Sequence, residues 1–212
     1  MLIPWQLILV GLALGLIPPR LFYGSGYRHG TLLDATTSAH LRTSGDSGSG
    51  RKRRQWWKLP FFWIDPIRGY FSAKCLAMAV LRMPTDTSEQ TAAILLVTCL
   101  STLAILVVQM EFGRQRKGSL MSPATFLFGY MAAICAGVDI MGWGVAIIGL
   151  TTTIAGRNFT AGYVVAAVTS AVMGVHYLGA TNYTVGVYAL IAMAPVPYAF
   201  LRKARLVIPI RG

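Results

Sequence analysis

One long segment of the chain carries almost no charge. Between Gly118 and Leu201 the sequence contains two charged side chains, Asp139 and Arg157. A water-soluble domain is about 25% charged, because those residues cover its surface, whereas this chain of 212 residues is 12% charged and 55% hydrophobic. This composition excludes a water-soluble globular domain, a disordered chain and a disulfide-rich secreted miniprotein. It predicts an integral membrane protein.

The excess of basic residues is concentrated beside apolar runs. The net charge is +12, from 19 Lys and Arg against 7 Asp and Glu. The basic residues cluster at Arg51–Arg54, Arg114–Lys117 and Arg202–Arg205. Basic residues beside membrane spans favour the cytoplasmic side and attract anionic lipid headgroups. We therefore expect a bilayer with anionic headgroups as a partner, and no nucleic acid, for which the sequence has no motif.

Residues 1–19 are predicted to form the first membrane helix. The apolar run Leu2–Ile17 is closed by two prolines and is short for a span, which needs about 20 residues. It lacks both a basic start and a small-residue cleavage site, so we interpret it as a retained signal anchor. A cleaved signal peptide is the alternative.

Residues 85–201 are predicted to form a helical membrane bundle. Thr91–Met110, Thr160–Gly179 and Tyr183–Phe200 each suit one span. The stretch Ala124–Gly156 has 33 residues, or about 50 Å of helix, which exceeds the membrane core of about 30 Å. It therefore predicts two short helices joined by a turn that contains Asp139. With the first helix, six spans result.

Residues 20–64 are predicted to form a flexible loop that ends in a membrane-docking segment. Basic residues attract anionic headgroups, and tryptophan prefers the interface between headgroups and hydrocarbon. The alternative is a solvated charge run beside a protein–protein contact. The docking residues are Arg51, Lys52, Arg53, Arg54, Trp56, Trp57 and Trp63.

Residues 65–84 are predicted to form an amphipathic helix in the plane of the interface. Asp65 and Pro66 are typical of a helix start, and Pro84 of a stop. The polar residues Arg68, Ser72, Lys74 and Arg82 fall within an arc of about 160°, which suits a helix lying on the membrane. Alternatively, residues 59–83 cross the membrane.

The distribution of positive charge bears on two choices: whether Ala124–Gly156 forms a hairpin, and whether residues 59–83 cross the membrane. If the basic tail, residues 202–212, is cytoplasmic, a helical hairpin over Ala124–Gly156 places Arg157 and Arg114–Lys117 on that side too. Six spans leave Arg51–Arg54 on the opposite side. A crossing helix over 59–83 returns that cluster to the cytoplasm but brings charged residues into the hydrocarbon. The sequence slightly favours six spans.

Two polar side chains in the membrane half are candidates for chemistry. A buried Asp139 or His176 could carry a proton or bind a cation. However, Asp139 is expected at a turn near the headgroups, and His176 lies near the end of a span. No catalytic motif, metal-ligand spacing or cofactor-binding motif is present, so we predict no catalytic residue, no metal and no cofactor.

Small residues recur at helical spacing along two of the predicted spans. Such stripes let helices approach closely, either with partner subunits and copies of the chain or within one bundle. The residues are Gly129, Ala133, Gly137, Gly162, Ala166, Ser170 and Gly174.

The sequence thus predicts an all-α membrane protein with about six spans and one interfacial helix, located in the cell or inner membrane. Our first functional hypothesis is a non-catalytic multi-pass subunit or scaffold of a larger membrane assembly. The alternative is a small transporter or channel that uses Asp139 and His176. The third is a membrane-embedded lipid-modifying enzyme.

Overall fold

Helices dominate the structure, as predicted. A computed structural model describes residues 4–18, 21, 27–30, 60–81, 88–112, 118–134 and 138–211. These ranges contain eight helices: α1 Trp5–Leu16, α2 Pro60–Leu81, α3 Ser88–Phe112, α4 Ala124–Ile134, α5 Asp139–Gly156, α6 Phe159–Leu178, α7 Thr184–Met193 and α8 Pro195–Leu201. The predicted docking residues from Arg51 to Trp57, and Gly137 of the first small-residue stripe, lie outside the described residues.

A small sheet, absent from the sequence prediction, joins three distant segments. Strands β1 (Tyr27–Gly30), β2 (Ser119–Met121) and β3 (Arg205–Arg211) align in the order β1-β3-β2. β3 pairs antiparallel with β1 and parallel with β2. The sequence analysis assigned β1 to a loop and β3 to a tail, because strands this short lack a clear alternating pattern.

The stretch Ala124–Gly156 is interrupted as predicted. α4 ends at Ile134 and α5 begins at Asp139. A Cβ atom at Gly142 would lie 2.7 Å from the carbonyl oxygen of Ala132, and one at Gly149 would lie 2.5 Å from the ring of Phe128. These two contacts show that α4 and α5 run antiparallel, as a hairpin.

The following helices continue the antiparallel order. A Cβ atom at Gly149 would lie 2.9 Å from the Cβ atom of Ala166, and Gly162 packs directly on Thr153. A Cβ atom at Gly174 would in turn lie 2.8 Å from the side chain of Val185. α5 and α6 therefore form one hairpin, and α6 and α7 form the next.

α2 lies at the centre of the other half of the bundle. Its Ser72 donates a hydrogen bond of 2.7 Å to the carbonyl oxygen of Gly11, and a Cβ atom at Gly15 would lie 3.0 Å from the Ser72 hydroxyl oxygen. α2 crosses α4 most closely where Gly129 lies against Pro66, because neither helix carries a bulky side chain at this point.

The two ends of the bundle differ in charge. Glu111 at the end of α3 forms an ion pair of 2.6 Å with Arg202, directly after α8. The sheet joins β2, which precedes α4, to the tail at this same end. Arg157 also lies here, because α5 returns from the opposite end. We call this the basic end, and it contains Arg157, Arg202, Lys203 and Arg205.

Three helices are long and apolar enough to cross a membrane. They cover Gln90–Glu111, Asp139–Gly156 and Phe159–Leu178. α7 and α8 meet at a bend of 48° and supply a fourth span if they cross together. α1 and α4 are apolar but shorter. By length and composition, the described part of the chain therefore contains three helices that could cross a membrane, or four if the bent pair is one span.

On α2 the ion pair faces inward together with part of the apolar surface, while several large apolar side chains face outward. Asp65 and Arg68 are 3% and 5% exposed, whereas Trp63, Ile67 and Phe71 are 60%, 56% and 54% exposed. The sequence analysis directed the polar face toward the headgroups, but the structure directs Arg68 and Ser72 of that face toward the other helices. Lys74 is half-buried, and Arg82 lies outside the described residues.

α6 shows the same arrangement with uncharged residues. Its small residues are buried, and its branched valines are exposed, which is the polarity expected of a helix surrounded by lipid. The buried residues are Gly162, Ala166, Ser170 and Gly174, and the exposed ones are Val164, Val168, Val172 and Val175.

Replacing Gly162 with Leu tests the contact between α5 and α6. Because Gly162 packs directly on Thr153, the larger side chain should separate the helices and lower the free energy of unfolding by about 1–3 kcal/mol. Unfolding of the detergent-solubilised protein, followed by tryptophan fluorescence, measures the loss. Val164→Leu on the exposed face is the control, and equal stability of the two variants would contradict this packing.

Candidate functional site

A buried polar cluster surrounds the C-terminal end of α1. The last carbonyl groups of a helix lack partners within the helix. Here the carbonyl oxygen of Ile17 accepts hydrogen bonds from Arg68 and, at 3.0 Å, from Gln109 Nε2. The Gln109 amide also donates to the carbonyl oxygen of Gly15. Two side chains from α2 and α3 thereby satisfy the end of α1.

The charge of Arg68 is balanced within this cluster. Its Nη2 atom lies 3.0 Å from Asp65 Oδ1 and donates a hydrogen bond of 2.8 Å to Gln109 Oε1. The guanidinium carbon lies 5.0 Å from the ring centroid of Phe126, a cation–π contact. A buried charge is costly unless it is paired and hydrogen-bonded. We refer to Gly15, Ile17, Asp65, Arg68 and Gln109 as the Arg68 cluster.

The Arg68 cluster is buried in the helical bundle close to its basic end, because Gln109 lies two residues before Glu111. Arg68 is eight residues from Pro60, the start of α2, which is about 12 Å along a helix axis. Backbone carbonyls at that depth have no water to bond if lipid surrounds the bundle. α1 can end at this depth because Arg68 and Gln109 replace the missing water.

Other buried hydroxyl groups also join helices. Thr102 on α3 and Tyr130 on α4 are 2.7 Å apart, and Ser122 before α4 lies 2.6 Å from the Tyr163 hydroxyl on α6. The buried Thr153 hydroxyl instead donates to the Gly149 carbonyl of its own helix, and the Ser170 hydroxyl is buried without a hydrogen-bond partner. The polar interior therefore serves mainly to connect helices.

The two residues predicted as chemical candidates lie on the surface. Asp139 is the first residue of α5, and His176 lies near the end of α6 and packs edge-on against Tyr177 at 4.9 Å. Both are exposed at the end opposite the basic end, because α5 and α6 are antiparallel. The structure places neither in an interior path.

The small-residue stripes pack within this chain. Gly129 lies against Pro66, Gly162 against Thr153 and Gly174 against Val185. Ala133, Ala166 and Ser170 are also buried. Of the docking residues, Trp63 lies in the first turn of α2 at the basic end, where it is exposed.

The described side chains include no group of three or more His, Cys, Asp or Glu residues that could hold a metal ion. Cys75 and Cys99 are free and half-buried.

Two apolar grooves open on the sides of the bundle. The first, of about 410 Å³, lies between α2, α4 and α5 and is rich in aromatic rings, including Trp63, Tyr70 and Trp143. The second, of about 600 Å³, lies between α3, α6, α7 and α8. We call these the aromatic groove and the lateral groove.

A surface triad lies at the basic end of the lateral groove. The Tyr198 hydroxyl donates a hydrogen bond of 2.7 Å to Glu111 and accepts one of 3.3 Å from Arg202 Nε. These bonds to Tyr198 and Glu111 raise the pKa of Arg202 above its ordinary value. Arg202 therefore remains a cation at every physiological pH.

The sequence analysis missed the Arg68 cluster. The signal was present in two places: Asp65 and Arg68 are three residues apart, a spacing that pairs charges on one helix face, and Gln109 interrupts an otherwise apolar span. Because glutamine is uncharged, it did not stand out in a search for charges within spans.

Comparison of the chain with models of known families, with curated proteins and with solved structures gives no match.

Replacing Arg68 with Met tests the Arg68 cluster. The variant leaves Asp65 buried without its arginine and the Ile17 carbonyl without its charged donor, so we expect a loss of about 3–5 kcal/mol in the free energy of unfolding. The double variant Asp65→Asn/Arg68→Met removes the buried charge and should recover part of that loss. Unfolding in detergent measures both.

Lys74→Met, on the same helix but outside the cluster, is the matched control. If Arg68→Met and Lys74→Met destabilise the protein equally, the Arg68 cluster does not hold α1 in place.

Proposed function

We propose that this chain is a multi-pass integral membrane protein with seven helical crossings, and that it acts as a non-catalytic subunit of a larger membrane assembly. The observation that carries the proposal is the inverted polarity of the bundle. Charged and hydrogen-bonding side chains meet inside it at the Arg68 cluster, while α2 and α6 present apolar side chains outward. That arrangement stabilises a bundle in lipid and exposes apolar surface in water.

The seventh crossing is α2. The sequence argued against it because Asp65, Arg68 and Lys74 would lie in or near the hydrocarbon. In the bundle Asp65 and Arg68 are paired and buried, which removes the objection for these two residues, and Lys74 is half-buried. α2 has 22 residues, or about 33 Å of helix, enough to cross.

This crossing also resolves the conflict over the basic clusters. α2 starts at the basic end, and Arg51–Arg54 precede it closely in the sequence. Arg114–Lys117 follow α3 at the same end. All the basic clusters then share the cytoplasmic side, as the positive-inside bias expects. The seven crossings are α1, α2, α3, α4, α5, α6 and the bent pair α7–α8.

The buried polar side chains are occupied in contacts between helices, which supports a structural role over transport or catalysis. The buried polar groups of the Arg68 cluster, and the pair of Thr102 with Tyr130, hold helices to one another. Asp139 and His176 are exposed at one end, which gives less support to a transport path that uses them. Because the small-residue stripes pack within the chain, contacts with other subunits must use the outward apolar surface.

Single-cysteine labelling tests the seven crossings. In a variant with Cys75, Cys99 and Cys135 replaced by Ala, a cysteine is placed by Arg28→Cys or Gly156→Cys at the basic end, or by Asp139→Cys or Ala180→Cys at the opposite end. A membrane-impermeant maleimide applied to sealed vesicles should label the first pair from the cytoplasmic face and the second pair from the other face.

Position 28 discriminates between the two topologies, since it precedes α2. If six crossings were correct, Arg28→Cys would be labelled together with Asp139→Cys. Permeabilised vesicles, in which all four positions should react, are the control.

Extraction in a mild detergent tests the subunit role. Light scattering coupled to size exclusion should give a protein mass well above the 23.0 kDa of one chain, because the exposed apolar surface is expected to hold partner subunits or further copies. A harsher detergent should reduce the mass to one chain. A homogeneous single chain already present in the mild detergent would contradict the proposal.

A further inference from the structure

The lateral groove has the size and composition of an acyl-chain site. Its volume is about 600 Å³, within the range of about 300–1,000 Å³ typical of small-molecule sites. Every residue that lines it is apolar except Tyr198. The groove opens sideways, since Leu190 and Leu201 on its rim are largely exposed. The wall includes Leu106, Met110, Ala167, Gly186, Leu190 and Tyr198.

The bend between α7 and α8 shapes this groove. The two helices meet at 48°, with Pro195 as the first residue of α8. Proline lacks the N–H that would continue the hydrogen bonding of α7, so the helix bends there. Ala194 and Pro197, on the two sides of the bend, both line the groove.

Positive charge lies at the basic end of the groove. The guanidinium carbon of Arg202 is 5.7 Å from the ring centroid of Tyr198, which lines the groove. The Arg202 side chain is 52% exposed, and Lys203 and Arg205 beside it are exposed too. Glu111 offsets one of these three cations.

Arg202 retains donors for an incoming anion. A guanidinium has five N–H groups, and Arg202 uses its Nε for the Tyr198 hydroxyl and its Nη2 for Glu111. Its pairing with Glu111 also fixes the guanidinium beside the groove. An arginine held this way suits a phosphate, which accepts several hydrogen bonds at once.

We propose that the lateral groove binds an anionic phospholipid, with an acyl chain against α3, α7 and α8 and the phosphate at Arg202, Lys203 and Arg205. The inference rests on the proposed membrane insertion, which places the basic end at headgroup level. Basic residues at that level attract anionic lipids. A zwitterionic lipid binds less tightly, because its headgroup brings a cation next to these three.

Gly186→Phe tests the position of the acyl chain. A Cβ atom at Gly186 would meet no other atom within 4 Å, and Gly186 lines the groove, so a phenylalanine there starts from open space and occupies part of the groove. The purified protein is equilibrated in mixed micelles with equal amounts of phosphatidylglycerol and phosphatidylcholine of identical acyl chains, and native mass spectrometry counts the bound lipids. We expect Gly186→Phe to lose the bound phosphatidylglycerol.

Gly156→Phe is the matched control for this substitution. Gly156 is also surrounded by open space, but it lies at the end of α5, outside the groove. The control should bind lipid as the parent protein does. Equal retention of lipid by Gly186→Phe and Gly156→Phe would overturn the proposal, as would a polypeptide found in place of the lipid.

Arg202→Gln tests recognition of the headgroup. We expect the preference for phosphatidylglycerol over phosphatidylcholine to fall about fivefold, the effect of removing one basic residue near an anionic surface. Arg157→Gln, at the basic end but outside the groove, is the control and should keep the parent preference. An unchanged preference in Arg202→Gln would overturn the proposal.

The unfolding midpoint of each variant is measured as well, so that loss of lipid is interpreted only in folded protein. If Arg202→Gln fails to fold, the double variant Lys203→Gln/Arg205→Gln tests headgroup recognition in its place. Cysteine labelling tests membrane insertion separately. A chain with the expected labelling but without lipid preference contradicts this inference alone and leaves the seven crossings intact.

Discussion

The bundle depends on how the end of α1 is satisfied inside it. α1 ends beside Arg68 of α2 and Gln109 of α3, where its last carbonyl groups are enclosed by other helices. Gln109 and Arg68 donate to these carbonyls, and Asp65 balances the arginine. A cation at the C-terminal end of a helix also opposes the negative end of its dipole. One set of contacts therefore joins α1, α2 and α3, and it explains why α2 carries charges on the face that packs inside the bundle.

Much of the fold follows from local pattern and length. The break before Asp139 could be predicted because 33 residues make a helix too long for one span. The polar arc on α2 was also visible, but periodicity shows only that a helix has two different faces. It does not show which face meets the protein when lipid is the surrounding medium. That choice needed the Gln109 contact, which joins residues 41 positions apart. The sheet could not be predicted either, because it also joins residues far apart in the sequence, such as Tyr27 and Arg211.

The candidate sites were also predictable only in part from the sequence. The small residues were recognised by their spacing, yet the sequence left open whether they met a partner or their own chain. The structure shows the second, with Gly162 on Thr153 and Gly174 on Val185. Asp139 and His176 attracted attention because polar residues are rare in the membrane half, but both lie at the surface. The lateral groove could not be predicted at all, because it arises from a bend in one helix pair and the distance of that pair from α3.

The sheet has a consequence for how the protein is made. β3 follows all eight described helices in the chain, and it is the central strand between β1 and β2. Neither β1 nor β2 has a strand partner until β3 has been synthesised, so the sheet can close only after every helix has emerged from the ribosome. Closure then ties the segment after α1 to the segment before α4 on the outside of the bundle. The sheet therefore forms late, and it holds these segments together after the helices between them have been synthesised.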